Sequence, residues 1–353
     1  MGGRLDPATA RARLLVRDGL ADVGAGDTVV VGLSGGTDSL ALTAALAFIA
    51  PRRALRWGAV VVDHGLQPGS SETAATAAEQ ARSLGAEIVR VVPAGIDRTG
   101  GAGPEGAARV ARYAGLREQA GDLAAAAVLL AHTRDDQAET VLLGLARGSG
   151  SRSLAGMRPV AGLWRRPFLD LTRDETTAVC VAAGLTAWTD PHNIDPAFAR
   201  SRVRARVLPA LEAELGPGVS AALARTADLL RADADLLDAQ AVELLAAVRV
   251  TLAPLRTGVS GQIRHSQRMG ESAGPVGLRV DGLVSAPAAL RRRVLRMAAL
   301  EAGASHSDLA AHHVDAVGAL LTDWRGQRGI DLPGRVRAVR SEGVLRLVPA
   351  VAD

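Results

Sequence analysis

The 353-residue chain contains no lysine, so all 41 of its basic residues are arginine. No Schiff base or lysyl adenylate can form on such a protein, whereas arginine's permanent charge and planar fork suit phosphate. Asparagine is nearly as scarce, with Asn193 the sole example, which points to a compositional bias across a genome rather than selection at sites. Cysteine is limited to Cys180, and this excludes an internal disulfide, a Cys-x-x-Cys metal site and a resolving-cysteine sulfur relay. No apolar run reaches membrane-spanning length, and Met1-Gly2-Gly3-Arg4-Leu5-Asp6-Pro7 lacks the apolar core of a signal peptide. The expectation is a cytoplasmic protein without a membrane partner.

What is present is an apolar fraction of 48%, enough at this length to bury a sizeable core in two domains, 1–216 and 217–353. A net charge of +4 fits a polyanionic partner. The most informative stretch runs from Val29 to Leu40. Its valines read as a buried strand that stops at Ser34-Gly35-Gly36, where paired glycines let the backbone turn tightly. A strong helix former follows from Ser39, with Asp38 and Ser39 placed to cap its start. Strand, glycine turn and helix N-terminus together aim free N–H groups and the positive end of a helix dipole at one spot, and that spot suits phosphate. The turn has neither the Gly-Lys-Ser/Thr of a Walker loop nor the Gly-x-Gly-x-x-Gly of a dinucleotide site.

The plan repeats along the chain. An amphipathic helix is expected over 8–22, then strand 28–33, helix 39–50, a buried strand from Trp57 ending at Asp63-His64, helix 70–84 and strand 87–92. Open parallel sheets bind ligands at strand C-terminal ends, so Asp63 and His64 should face the same crevice as Ser34 to Ser39. After a loop at Gly100-Gly101-Ala102-Gly103-Pro104, Glu105, Arg109 and Arg112 share one helix face. A fourth strand, 125–131, ends in His132-Thr133-Arg134-Asp135-Asp136-Gln137-Ala138-Glu139. His132 and Asp136 are one helical turn apart and Glu139 follows three residues later. Capping accounts for one or two of these carboxylates, but not for the histidine or Glu139. With no third nitrogen or sulfur the set does not suit zinc; Mg²⁺ or an ammonium group fits better.

Past Gly216-Pro217-Gly218, read as a linker, a long helix is expected over 219–247, its paired leucines at 229/230, 236/237 and 244/245 serving packing. Residues 256–277 lack periodicity and are expected to form a mobile loop. A basic helix carrying Arg291, Arg292 and Arg293, a helix over 306–321 and short strands near 328–332, 335–340 and 343–348 complete the chain.

Ser34-Gly35-Gly36-Thr37-Asp38-Ser39 resembles the PP-loop of the N-type ATP pyrophosphatases, which implies cleavage between the α- and β-phosphates of ATP. The His64-Gly65-Leu66 strand end, Ala108-Arg109-Val110-Ala111-Arg112-Tyr113, Ala131-His132 through Thr140, and Arg147-Gly148-Ser149-Gly150 then follow in the order seen in the tRNA(Ile)-lysidine synthetase family. The likeness continues through Leu154-Ala155-Gly156-Met157, Arg166-Pro167-Phe168-Leu169, Trp188 to Asp195 and Arg202 to Pro209, covering roughly residues 25–215. Thr133 departs from it, standing where many relatives carry a second histidine.

The resemblance implies an α/β fold, a parallel twisted sheet with helices on both faces, Rossmann-like, followed by a smaller, mainly helical tRNA-binding domain with short C-terminal strands. It implies ligation of free L-lysine to C2 of the wobble cytidine in a CAU-anticodon isoleucine tRNA, with release of AMP and pyrophosphate. Ser34, Gly35, Gly36, Thr37, Asp38, Ser39, Asp63 and His64 would bind ATP, with Mg²⁺ on Asp38. Arg112 and His132 would offset charge on the transferred phosphate, and Asp136 and Glu139 would hold the lysine. Arg109, Arg147, Arg202, Arg204, Arg291, Arg292 and Arg293 would contact tRNA, and a homodimer is implied. The rival readings are another PP-loop tRNA-modifying enzyme, such as a thiolase, and a non-catalytic ATP- or RNA-binding module. A single cysteine argues against sulfur transfer.

Overall fold

Alternation along one strand sets the architecture of the first unit of the computed structural model. β1 (Thr28–Gly32) pairs in parallel with β2 (Arg56–Asp63) and with β4 (Ala125–Leu129), and β2 pairs in parallel with β3 (Ile88–Pro93). A short antiparallel pair, β5 (Val160–Ala161) and β6 (Trp164–Arg165), completes the order β3-β2-β1-β4-β6-β5. Val29 and Val31 point into a core shared with α1 (Pro7–Gly19), α2 (Thr37–Arg52) and α3 (Ser70–Ser83). Val30 points the other way, toward Leu116 and Ala120 of α4 (Gly103–Asp122). Helices therefore cover both faces, as a near-continuous apolar strand requires.

The structure describes residues 5–65, 69–95, 103–148, 150–190, 195–252, 274–306 and 308–350. Leu66, the 100–102 part of the glycine loop, the Glu105 side chain, Ser149 and the 191–194 part of the Trp188–Asp195 motif lie outside the described residues, as does 253–273.

Because β1, β2 and β4 run parallel, their C-terminal ends lie along one edge, and each leads into a segment expected to carry chemistry. β1 leads into the Ser34–Ser39 turn and β2 ends at Asp63. β4 ends at Leu129, earlier than expected, and leads into α5 (Arg134–Ala146). His132 therefore precedes the helix rather than opening it. Beyond α5 come α6 (Ser151–Leu154), a 3-10 turn at Pro167–Asp170 and α7 (Arg173–Ala182). α8 (Ala199–Arg202), a π-helical turn (Val203–Val207) and α9 (Leu208–Leu215) follow. Cys180 is buried on α7 in the same core as Phe168.

The chain divides into two compact units, Met1–Arg231 and Ala232–Asp353. Gly216, with φ +89°, ends α9, but the division falls later, inside α10 (Val219–Val248). The second unit holds an antiparallel sheet in the order β7-β8-β11-β10-β9, where β7 is Arg249–Val250, β8 Val276–Arg279, β9 Ile330–Leu332, β10 Val336–Ser341 and β11 Val344–Pro349. α11 (Val280–Val284), α12 (Ala288–Glu301) and α13 (Ala311–Thr322) pack with it through Leu283, Leu295 and Leu320. Three sequence expectations are corrected here. Residues 276–277 belong to β8 rather than to a loop, and the 306–321 helix starts only at Ala311, where the His313 ring accepts the Ala310 N–H at 3.1 Å. Leu229 and Leu236 are 71% and 61% exposed, so packing among the described residues does not explain them.

Phe168 is the largest wholly buried side chain of the first unit. Phe168→Ala is expected to destabilise that unit by about 3–5 kcal/mol, read from its urea transition.

Candidate active site

The turn after β1 is built to leave backbone donors free. Gly35 has φ +80°, and a Cβ there would stand 3.3 Å from the Ala77 methyl. Gly36 is the N-cap of α2 without a side chain to fold back over the helix end. Ser39 braces the turn from inside: its Oγ accepts the Ser34 N–H at 3.2 Å, donates to the Gly36 carbonyl at 2.9 Å and lies 3.1 Å from Ser34 Oγ. Trp188 N–H donates to the Gly35 carbonyl at 3.0 Å, fixing the outer side. The N–H groups of Thr37, Asp38 and Ser39 have no acceptor earlier in the helix, so this end is an anion site by construction.

Asp38 points from that turn into the protein, where Thr176 of α7 donates its hydroxyl to the carboxylate. Burial raises the Asp38 pKa from 3.8 to about 6; Asp136 adds to the rise, while Thr176, Arg173 and Arg204 oppose it. The PP-loop carboxylate and the acids of α5 therefore share one electrostatic chamber.

At the end of β4, Thr133 caps α5. Asp136 Oδ2 accepts the Thr133 N–H at 2.9 Å and its hydroxyl at 3.1 Å, closing a capping box that gives Thr133 a structural role. Glu139, one turn on, is fully buried. Both carboxylates are met by arginines from elsewhere in the chain. Arg173 Nη2 bridges them, 2.7 Å from Asp136 and 2.8 Å from Glu139. Arg204 donates to Glu139 at 2.8 Å and to Asp136 at 3.2 Å, and Arg200 Nε lies 3.6 Å from Glu139. Burial alone would raise the Asp136 pKa, but Arg173, the Thr133 N–H and Arg204 outweigh it and hold it at about 2.

These contacts change several expected roles. Arg204, expected to contact tRNA, is committed to the acid pair, and Arg202 also donates to the Pro196 and Ala197 carbonyls at 2.6 and 2.9 Å. Residues 200 and 204 share a helix face at i, i+4, while 202 points elsewhere. Arg173, Thr176 and Arg200 were not foreseen. The Thr172-x-x-Glu175 capping box signals the start of α7, yet nothing in its spacing says what Arg173 meets. His132 is held neutral: burial lowers its pKa to about 3, with Arg109, Arg166 and Arg200 contributing, and its buried Nδ1 has no partner. It can give or take a hydrogen bond but brings no cation. That charge falls to Arg112, whose Nε lies 3.4 Å from His64 Nε2.

Asp63 accepts the Gly65 N–H at 3.0 Å and the Ser71 hydroxyl at 3.1 Å, which shapes the end of β2. Arg109 stacks over Tyr113 and, with Arg147, lines a cavity of about 550 Å³ between α4, α5, α6 and α8. In the second unit, Arg292 and Arg293 are paired with Asp315 and Asp238 at 2.6 and 3.0 Å, and Arg291 caps the Val284 and Ala286 carbonyls at 3.3 and 3.2 Å. Among the described residues, no cluster of three or more histidine, cysteine or acidic side chains is arranged to hold a metal by itself. A single half-buried carboxylate beside an anion site does suit Mg²⁺, which binds through one or two carboxylates and the substrate's phosphates.

A PP-loop domain family model matches residues 12–211, and a TilS substrate binding domain model matches 278–346. A tRNA(Ile)-lysidine synthase of Thermobifida fusca (strain YX) is 50% identical over 337 residues, 96% of each chain. One of Leifsonia xyli subsp. xyli (strain CTCB07) is 52% identical over 325 residues, 92% of this chain and 90% of the relative. The chain belongs to the tRNA(Ile)-lysidine synthase family. The U34-tRNA thiolase NcsA from Methanococcus maripaludis, solved with its [4Fe-4S] cluster, superposes with a TM-score of 0.53 over 64% of this chain and 79% of that one. At 19% identity this likeness establishes the PP-loop fold and gives no support to sulfur transfer. The synthase family uses ATP.

Asp38 carries a stability penalty whose sign is testable. With its pKa raised from 3.8 to about 6, the folded protein keeps a proton that the unfolded chain releases. Its contribution is full below pH about 4 and is lost as pH rises through about 6. Asp38→Asn should abolish this decline and raise stability above pH 6 by on the order of 2 kcal/mol, measured as thermal midpoint against pH. Asp136, shifted the other way to about 2, should destabilise the protein only as pH falls below its ordinary 3.8.

Proposed function

We propose that the protein joins the ε-amine of free L-lysine to C2 of the wobble cytidine in a CAU-anticodon isoleucine tRNA, consuming ATP and releasing AMP and pyrophosphate. The observation that carries this reading is the placement of Asp136 and Glu139 in one chamber with Asp38, bridged by α7 through Arg173 and Thr176. An acid pair suited to an amine thus adjoins a turn suited to a polyphosphate.

In this mechanism the Ser34–Ser39 turn and the α2 N-terminus grip the β- and γ-phosphates. Asp38 would hold Mg²⁺, which supplies positive charge to the departing pyrophosphate. Arg112 faces the α-phosphate as the cytidine O2 attacks it, and neutral His132 offers a hydrogen bond there. Activation is needed because the C2 oxygen is a poor leaving group until it carries AMP. The lysine amine then adds to C2 and AMP leaves with the oxygen. Asp136 and Glu139 orient the amine; a carboxylate held near 2 is too weak a base to do more, so its role is electrostatic. Asp63 and His64 would border the nucleotide, and Arg109, Arg147, Arg202, Arg291, Arg292 and Arg293 are the proposed tRNA contacts. A cytoplasmic homodimer completes the reading; no helix among the described residues is long and apolar enough to cross a membrane.

Mass spectrometry of the anticodon nucleoside, after incubation with unmodified isoleucine tRNA, ATP and labelled lysine, should show the label on the wobble cytidine. Pyrophosphate release should require tRNA, and its continued turnover should require lysine as well. Release without tRNA, or an unlabelled cytidine, would favour a different PP-loop reaction. Asp136→Ala should raise the lysine KM about tenfold or more, since a charge-assisted contact is lost; an unchanged KM refutes the assigned role.

A further inference from the structure

The cavity between α4, α5, α6 and α8 is bordered by Arg109, Arg147, Arg152 and Arg200, together with Thr140 and Ser153, and by no carboxylate among the described residues. Its volume of about 550 Å³ exceeds what one phosphate needs and lies within the usual roughly 300–1,000 Å³ of ligand pockets. Four guanidiniums around one hollow give it a positive field that attracts an anion. Arg200 belongs to two places at once. It lines this cavity, donates to Thr140 Oγ1 at 3.3 Å and approaches Glu139 at 3.6 Å. Thr140 follows Glu139 directly on α5, so the hollow opens immediately beside the acid pair.

We infer that this cavity holds one phosphodiester of the bound RNA next to the nucleotide being modified, and that Arg200, shared with Glu139, couples RNA binding to amine binding. The inference rests on the RNA-modifying reading above and adds a site and a linkage to it. A phosphodiester competes with Glu139 for Arg200. Once the guanidinium turns toward phosphate, Glu139 has one cation fewer and receives an ammonium more readily. By linkage the effect is reciprocal: RNA tightens lysine binding by the same factor that lysine tightens RNA binding. Arg109 and Arg200 also lower the His132 pKa, so an anion here eases the positive field on that ring.

The test uses the full chain and anticodon stem-loop RNAs in which each phosphodiester near the wobble cytidine is replaced in turn by an uncharged methylphosphonate. One replacement should weaken binding about fivefold to tenfold and make little further difference in Arg147→Ala, because the two changes remove the same contact. Arg147→Ala should also lower the salt slope of RNA binding by about one. Uniform penalties along the RNA, or a penalty that adds in full to that of Arg147→Ala, would overturn the site. Labelled lysine should bind more tightly with the all-phosphodiester stem-loop than without it, and Arg200→Ala should erase the difference. A lysine affinity indifferent to RNA in the wild type would overturn the coupling. Lysidine formation, scored in the same samples, separates the two failures. Product with additive penalties defeats the inference alone, whereas neither product nor RNA binding defeats the functional reading and the inference with it.

Discussion

Two carboxylates one helical turn apart, shut off from water and facing three guanidinium groups, constrain everything around them in the first unit. Desolvating Asp136 and Glu139 is costly, and the cost is recovered only if the arginines arrive in good geometry. Arg173 comes from the first turn of α7, and Arg200 and Arg204 from α8 and the π-helical turn that continues it, so the acid pair fixes two separate stretches of chain against α5. The arrangement reaches the phosphate turn through Thr176, one turn along α7 from Arg173, which donates to Asp38. Loosening the acid pair therefore disturbs the anion site without touching it.

The absence of lysine takes on meaning in this setting. A protein with no side-chain ammonium has nothing of its own that matches the free lysine proposed to meet the acid pair. Arginine fills the cradle differently, because its broad planar fork bridges two carboxylates through one nitrogen, as Arg173 does, while an ammonium is a compact, strongly hydrated point charge. The internal cation and the proposed ammonium substrate thus differ in shape and hydration. The same fork binds phosphate bidentately, so these arginines have a second partner whenever a polyphosphate or RNA backbone is near.

The local order of the first unit was legible in the sequence because its signals are local. Valine runs, the Ser34-Gly35-Gly36 turn and the polar ends of β2 and β4 each declare themselves within ten residues, and parallel pairing then brings them to one edge. The wiring of the site was not legible, since its contacts join distant positions: Asp38 with Thr176, and Glu139 with Arg173 and Arg204. Charge type misled in two places. A run reading Arg200, Arg202, Arg204 shows alternating cations, but helical geometry sends 200 and 204 to the acids and turns 202 to nearby carbonyls. His132 looked like a cation and is neutral, a consequence of burial and neighbouring arginines that no spacing reveals. In the second unit the strands of Arg249–Val250 and Val276–Arg279 are too short to carry an alternation signal, and β8 is held by pairing with β11.

Charge balance ties the chamber together. The carboxylates of Asp136 and Glu139, joined by an Asp38 that is protonated below about pH 6, stand against Arg173, Arg200 and Arg204. The free site is close to neutral and folds without a buried surplus of either sign. An amine and a polyanion arriving together preserve that balance, because each takes up the partner the other releases: phosphate draws guanidinium and ammonium takes carboxylate. Either ligand alone leaves a buried charge uncompensated, which a low-dielectric interior penalises. On the proposed reading, a site wired in this way favours joint occupancy by amine and RNA.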